Sequence, residues 1–186
     1  LKFTPTPRES GGWSRGRSIT ELEEYTVGSF VKRRAFIPVA EAPAEMPEGI
    51  EARYYTHKYG KFKEITQDIV KRIMKNLRSG RWESIFLSEE ADEEGDYMQL
   101  ESGGGLYALQ YVKDLGQVWW STYDSDYLDT YEETDIDCSD GQSIVFREFT
   151  TADKEAVMTA IEYFIRTGRL WDGIPWMKRW QEWVEE

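Results

Sequence analysis

The chain has 186 residues, an apolar share of 40 %, an aromatic share of 15 % and a formal net charge of −12. These values describe a globular and not a disordered composition, in a chain long enough to bury its own core without covalent staples. The single cysteine, Cys138, excludes an internal disulfide and a cysteine-based zinc site.

Residues 1–20 are rich in Pro and Gly and read as an irregular arm. SFVKRRAFIPV, residues 29–39, mixes β-branched and aromatic residues and reads as a short strand. The Pro-interrupted stretch 41–49 reads as a loop, and ARYYTHKY, 52–59, as another strand. The first helix is expected over 63–78. Phe62, Ile65, Ile69, Ile73 and Leu77 recur every three or four residues, and Ser79-Gly80 supplies a stop. A meander follows, with strands at 84–89, 97–102, 106–114, 118–124 and 143–149. Turn chemistry at 92–95, 102–105 and 114–116 separates them. In the third of these strands Tyr107, Leu109 and Tyr111 are expected to face the core. A second helix is expected over 152–167, entered through an N-cap at Thr150 to Asp153. Val157, Ile161, Phe164 and Ile165 form its stripe, and Gly168 stands just past its end. Pro175 is expected to open a short last helix, with Trp176, Trp180 and Trp183 on one side closing the core. The fold expected is α+β: an antiparallel β-meander sheet, two main helices packed against it and a short C-terminal helix. Residues 1–60 are expected to form an N-terminal extension, irregular with short strands, and residues 61–186 the α+β domain.

Charge is unevenly laid out. Residues 1–82 carry a net +6, residues 83–140 a net −16 with Lys113 as their only cation, and residues 141–186 a net −2. The centre of this negative charge, VWWSTYDSDYLDTYEETDIDCSDG at 118–141, holds eight carboxylates, no Lys or Arg, and five large rings: Trp119, Trp120, Tyr123, Tyr127 and Tyr131. Such a field repels nucleic acid and anionic membranes, and it attracts basic proteins or cations.

Catalytic patterns are sparse. His57 is the only histidine and lies in no motif, so a surface histidine is expected and not a triad base. Asp135-x-Asp137-x-Ser139 has the spacing that opens a calcium loop. Asp140 then stands where the turn needs Gly, and Phe146 where a bidentate Glu is needed. No metal site and no cofactor are expected. Ser102-Gly103-Gly104-Gly105 reads as a hairpin turn, because no Lys-Ser/Thr follows it to hold a phosphate. Cys138 sits among carboxylates that raise its pKa and blunt it as a nucleophile. Paired acids among rings also suit a glycan hydrolase, although nothing selects two acids from so many. The chain begins at Leu1 and not at Met, which leaves the native N-terminus open. With no apolar run of roughly 20 residues and no signal-peptide pattern, a cytoplasmic location is expected.

Three blocks in order carry a resemblance: WESIFLSE (82–89), DEEGDYMQLESGGGLYALQY (92–111) and FTTADKEAVMTAIEYFIRTGRLWDGIPW (149–176). Asp96-Tyr97-Met98-Gln99 leads to a Gly-rich turn and a Tyr-containing strand, and Ala156, Ala160, Phe164, Gly168 and Trp176 close the pattern. Over about residues 62–180 this order resembles immunity protein family one of the bacterial polymorphic toxin systems. Gln110 departs from it, standing where a Glu is usual, and so does the length and acidity of 121–142. The resemblance implies a non-enzymatic cytoplasmic protein that binds and neutralises a cognate toxin domain. The toxins associated with the family act on nucleic acid as deaminases or nucleases, and a toxin drawn to a polyanion tends to be basic. The expected contact residues are Trp120, Asp124, Asp126, Tyr127, Asp129, Tyr131, Glu132, Glu133 and Asp135. Because Trp119 and Trp120 are adjacent in a strand, only one of them is expected at the interface. An acidic inhibitor or nucleic-acid mimic of another protein is the alternative. No direct nucleic-acid or membrane partner is expected.

Overall fold

Apolar residues at 70, 73, 74 and 77 lie on one face of a 3.6-residue repeat. In the computed structural model, which describes residues 29–58, 60–91 and 95–184, they form the buried stripe of α1 (Gln67–Arg78). The helix starts later than its apolar spacing suggests. Lys63 and Glu64 are drawn into a two-residue strand, and the Ile65 amide donates to the Arg53 carbonyl at 2.7 Å while its side chain is buried. The stop falls where expected, with Ser79 as C-cap and Gly80 at φ 68°. Helix α2 (Lys154–Thr167) buries Val157, Ile161, Phe164 and Ile165. It opens on Asp153, whose carboxylate accepts from the Ala156 amide at 3.0 Å, and closes on Gly168 at φ 64°. The two helices run antiparallel. Lys154 at the start of α2 donates to the last α1 carbonyl, Arg78 O, at 2.7 Å, and Arg166 near its end donates to Gln67 Oε1 at 2.6 Å.

The strands are β1 (Ser29–Ile37), β2 (Tyr54–Thr56), β3 (Lys63–Glu64), β4 (Ser84–Ser88), β5 (Tyr97–Gly103), β6 (Leu106–Lys113), β7 (Val118–Ser121) and β8 (Trp176–Val184). Among the described residues they form one eight-stranded sheet in the order β1-β8-β7-β6-β5-β4-β2-β3, with the meander β4 to β7 at its centre. With its two helices this is an α+β fold. Pairing of Gly103 with Leu106 leaves Gly104 and Gly105 as a two-residue turn, both at positive φ, as the glycine run demands. Residues 33–180 make up one compact unit. A second, small unit includes the described residues 29–32 and 181–184, where the rings of Phe30 and Trp183 meet edge to face at 4.8 Å.

Side chains of register partners share a face. Tyr55, Leu87, Met98, Tyr111 and Trp120 fall on one side, where α1 and α2 cover them. Leu109 and Tyr111 are buried there with Tyr107 packed against them, so the expected core face of β6 is correct. The opposite side presents Gln99, Gln110 and Ser121.

Two expected elements take another form. The C-terminal segment is not a helix but the strand β8, antiparallel to β7, with Met177 opposite Ser121 and Trp180 opposite Val118. A spacing of four residues fits both periods, since positions 176 and 180 share a face in a helix and in a strand. The unpaired edge of β7 decides in favour of the strand. Trp176 is buried, whereas Trp183 falls on the other parity and is 41 % exposed. Residues 143–149 are not a sheet strand either. They contain one isolated bridge, Phe146 to Glu133, followed by a 3-10 turn at Arg147–Phe149. The expected strands at 118–124 and 52–59 are trimmed to β7 and β2, and Tyr59 lies outside the described residues. The expected arm at 1–20 also lies outside them, as does most of the turn at 92–95. Among the described residues no helix is long and apolar enough to cross a membrane.

Candidate functional site

The acidic stretch is a cover over the sheet. Thr122 leaves β7 and is fixed at once, its amide donating to Leu109 O at 2.9 Å and its hydroxyl to Phe149 O at 3.1 Å. From there to Thr150 the chain crosses the sheet face opposite the helices, burying Ile136, Cys138 and Glu148. Its two limbs hold each other. Thr134 donates to Val145 O through both amide and hydroxyl at 2.9 Å, and the Arg147 amide donates to Glu132 O at 2.7 Å. At the far end Asp140 accepts from the amides of Gln142 and Ser143, both at 2.9 Å, and from the Ser143 hydroxyl. These bonds hold its carboxyl down at about 2.

The nine expected contact residues divide by surroundings. Trp120 is the core-side member of its pair. Its ring lies 5.6 Å from Tyr111, with Lys178 Nζ 5.1 Å above it, which places it against the helices and away from the acidic cover. Asp124 begins a 3-10 turn (Ser125–Tyr127) and accepts from Arg147 Nε and Nη2 at 3.3 and 3.2 Å. The same guanidinium stands 4.7 Å from the Tyr127 ring. Asp129 is held by both Nη atoms of Arg34 at 2.7 Å, and that pairing lowers its pKa. Asp126, Glu132, Glu133 and Asp135 are exposed. Tyr131, at φ 55°, is 69 % exposed, its ring meeting Phe146 edge-on at 6.1 Å.

The negative charge that the sequence leaves uncompensated is therefore met in part by two arginines from elsewhere. Arg34 comes from β1, where Phe36 two residues on lies 5.1 Å from the Tyr123 ring. Arg147 comes from the segment read as a strand. No local pattern marks Arg34, which sits 95 positions from its partner. Six acids of the stretch are exposed and unengaged by these arginines: Asp140, which is tied into its own turn, and Asp126, Glu132, Glu133, Asp135 and Asp137, the last of which is not among the expected contacts.

Beneath the cover lies a cavity of about 280 Å³. Its floor is Gln99, Gln110 and Ser121, and its roof includes Cys138, Val145 and Phe149. Glu101 links floor to roof. It accepts from the Ser139 amide at 3.2 Å, from the Ser139 hydroxyl, and from Gln99 Nε2 at 2.9 Å. Burial raises its pKa against the pull of those bonds. The buried Cys138 thiol is pushed up to about 11, first by burial and then by Glu101, Asp140 and Asp137, as its acidic surroundings predict. His57 is half-buried and stacked 4.0 Å from Trp82, and burial lowers its pKa. Among the described residues no three His, Cys, Asp or Glu side chains converge to hold a metal ion.

Comparison of the chain with family models, with curated proteins and with solved structures finds no match. The residues that carry the resemblance stated above occupy structural positions. Ala160, Phe164 and Trp176 are buried, and Gly168 holds the left-handed close of α2.

Proposed function

We propose that this protein is an immunity protein that binds and neutralises a basic, nucleic-acid-targeting toxin domain in the cytoplasm of the producing cell, using the outer side of residues 124–137. The observation that carries the reading is the row of outward acids, Asp126, Glu132, Glu133, Asp135 and Asp137, flanking the exposed Tyr131 on a segment tied down by Arg34 and Arg147. A held segment loses little conformational entropy on binding, which favours a tight complex. Like charges held side by side steer a basic partner and speed its encounter. Tyr131 supplies the kind of ring that anchors interfaces once it is desolvated. The order of helix, hairpin and helix, with its resemblance to immunity family one, supports the same reading.

The test uses the acids that face outward and spares Asp124 and Asp129, whose reversal would break the anchors of the segment. The protein is immobilised beside a variant with Asp126, Glu132, Glu133 and Asp135 changed to Lys, and lysate of the source organism is passed over both at moderate salt. A basic toxin domain is expected on the wild type, with association slowed at least tenfold and made less salt-sensitive in the variant. Equal retention by the two proteins would sink the reading.

A further inference from the structure

The inner side of the same segment closes a second site. One row of register partners crosses the sheet under it: Gln99 opposite Gln110, and Gln110 opposite Ser121. The first two are joined to Glu101 by a one-way relay, with Gln110 Nε2 donating to Gln99 Oε1 at 3.0 Å and Gln99 Nε2 to Glu101 Oε1 at 2.9 Å. The other end of the cavity is unsatisfied. Ser121 is 2 % exposed and its hydroxyl has no protein partner, and the buried Nε of Arg179 has none either. The Arg179 guanidinium rests over the Phe149 ring, 4.2 Å from its centroid. Two buried donors at one end and a carboxylate relay at the other are an uneconomical way to fill a core, since unpaired buried polar groups are costly.

We infer that this cavity binds a small monocarboxylate with an amino or hydroxyl donor at its far end, an amino acid or a hydroxy acid. A carboxylate oxygen accepts from Ser121 Oγ and Arg179 Nε and shares the guanidinium charge with the buried Glu148. The donor end faces the Gln110 carbonyl and Glu101, which accept hydrogen bonds and reject a second anion. A space of about 280 Å³ equals roughly nine water volumes, the scale of a single amino acid and below that of a drug-sized ligand. The site stands apart from the docking reading, since it uses the inner side of the segment and needs no toxin.

The experiment is a nitrogen-15 NMR titration of the full chain with L-serine and L-lactate, with propionate and ethanolamine as single-ended controls. Saturable shifts of Arg179 Nε–H and the Gln110 side-chain amide are expected for serine or lactate below about 10 mM. Propionate should bind more weakly and ethanolamine not at all. Ser121→Ala should weaken binding about tenfold and, by deleting an unpartnered buried hydroxyl, should raise the Tm of the free protein. Arg179→Gln should weaken binding by at least as much while the spectrum stays dispersed. If no probe shifts these two groups, if ethanolamine binds as well as serine, or if Ser121→Ala binds unchanged, the site is only a hydrated gap and the proposal falls.

Discussion

Cys138 illustrates how one side chain reports on its layer. Its thiol is buried under the acidic segment, and Glu101, Asp140 and Asp137 oppose its ionisation. The folded pKa is about 11 against an ordinary value near 9, so the unfolded chain releases this proton first as pH rises. The stabilising contribution is complete below pH 9 and fades between about 9 and 11, because there only the unfolded state gains from ionising. Tyr111, raised by burial and by Asp96, adds a loss of the same sign at higher pH. Two outcomes are expected. Iodoacetamide should label native Cys138 slowly at pH 8, with an inflection near 11. Melting temperature should also fall above pH 9, and less steeply in Cys138→Ala. Fast labelling at pH 8 would show that the thiol is not held under the cover.

Among elements, the acidic segment depends on a few polar anchors where α1 and α2 depend on apolar burial. Arg147 joins Asp124 and the Tyr127 ring in a half-buried cluster. Its removal should cost about 2 kcal/mol, the scale of a charged hydrogen bond with a cation–π contact. In Arg147→Ala, amide exchange should quicken across 122–149 and stay slow in α2, whose stripe is untouched. Uniform quickening would mean that segment and helices open together. This contrast also explains what was legible in the sequence. Helix α2 could be read because its period, its Asp153 cap and its Gly168 close all agree locally. Strand β8 is not legible locally, because tryptophans four apart fit either period and the choice rests on β7, more than fifty positions away. The acids of the site were plain as a run, but their division into paired and outward ones depends on Arg34, which no spacing could assign. The cavity was invisible for a related reason, since Gln99, Gln110 and Ser121 become neighbours only through register.

For the whole molecule, the distribution of charge matters more than its total. Residues 83–140 carry a net −16, and the ion pairs of Arg34 and Arg147 offset only part of it. Repulsion among the outward acids destabilises the fold at low ionic strength, whereas an exposed pair such as Arg34 with Asp129 orients the segment and adds little net stability. Added salt screens both, and the larger effect wins. The Tm should therefore rise by several degrees between low and moderate sodium chloride. A fall would indicate that the arginine pairs outweigh the repulsion, and it would weaken the case for a charged docking face.

The roots of the acidic segment sit side by side. Thr122 donates to Phe149 O, the Asp124 amide to Glu148 O at 3.1 Å, and Thr151 exchanges two backbone bonds with Tyr107. The fold thus presents a socket whose width is set by the sheet and not by the chain plugged into it. Closing a longer or shorter chain between fixed roots changes the entropy only slowly with length, while the helices and the strands they cover bury the main core without it. A foreign stretch of different length and charge, grafted between Thr122 and Thr150, should leave the sheet and helices standing. The surface this stretch presents is thereby separable from the frame that carries it.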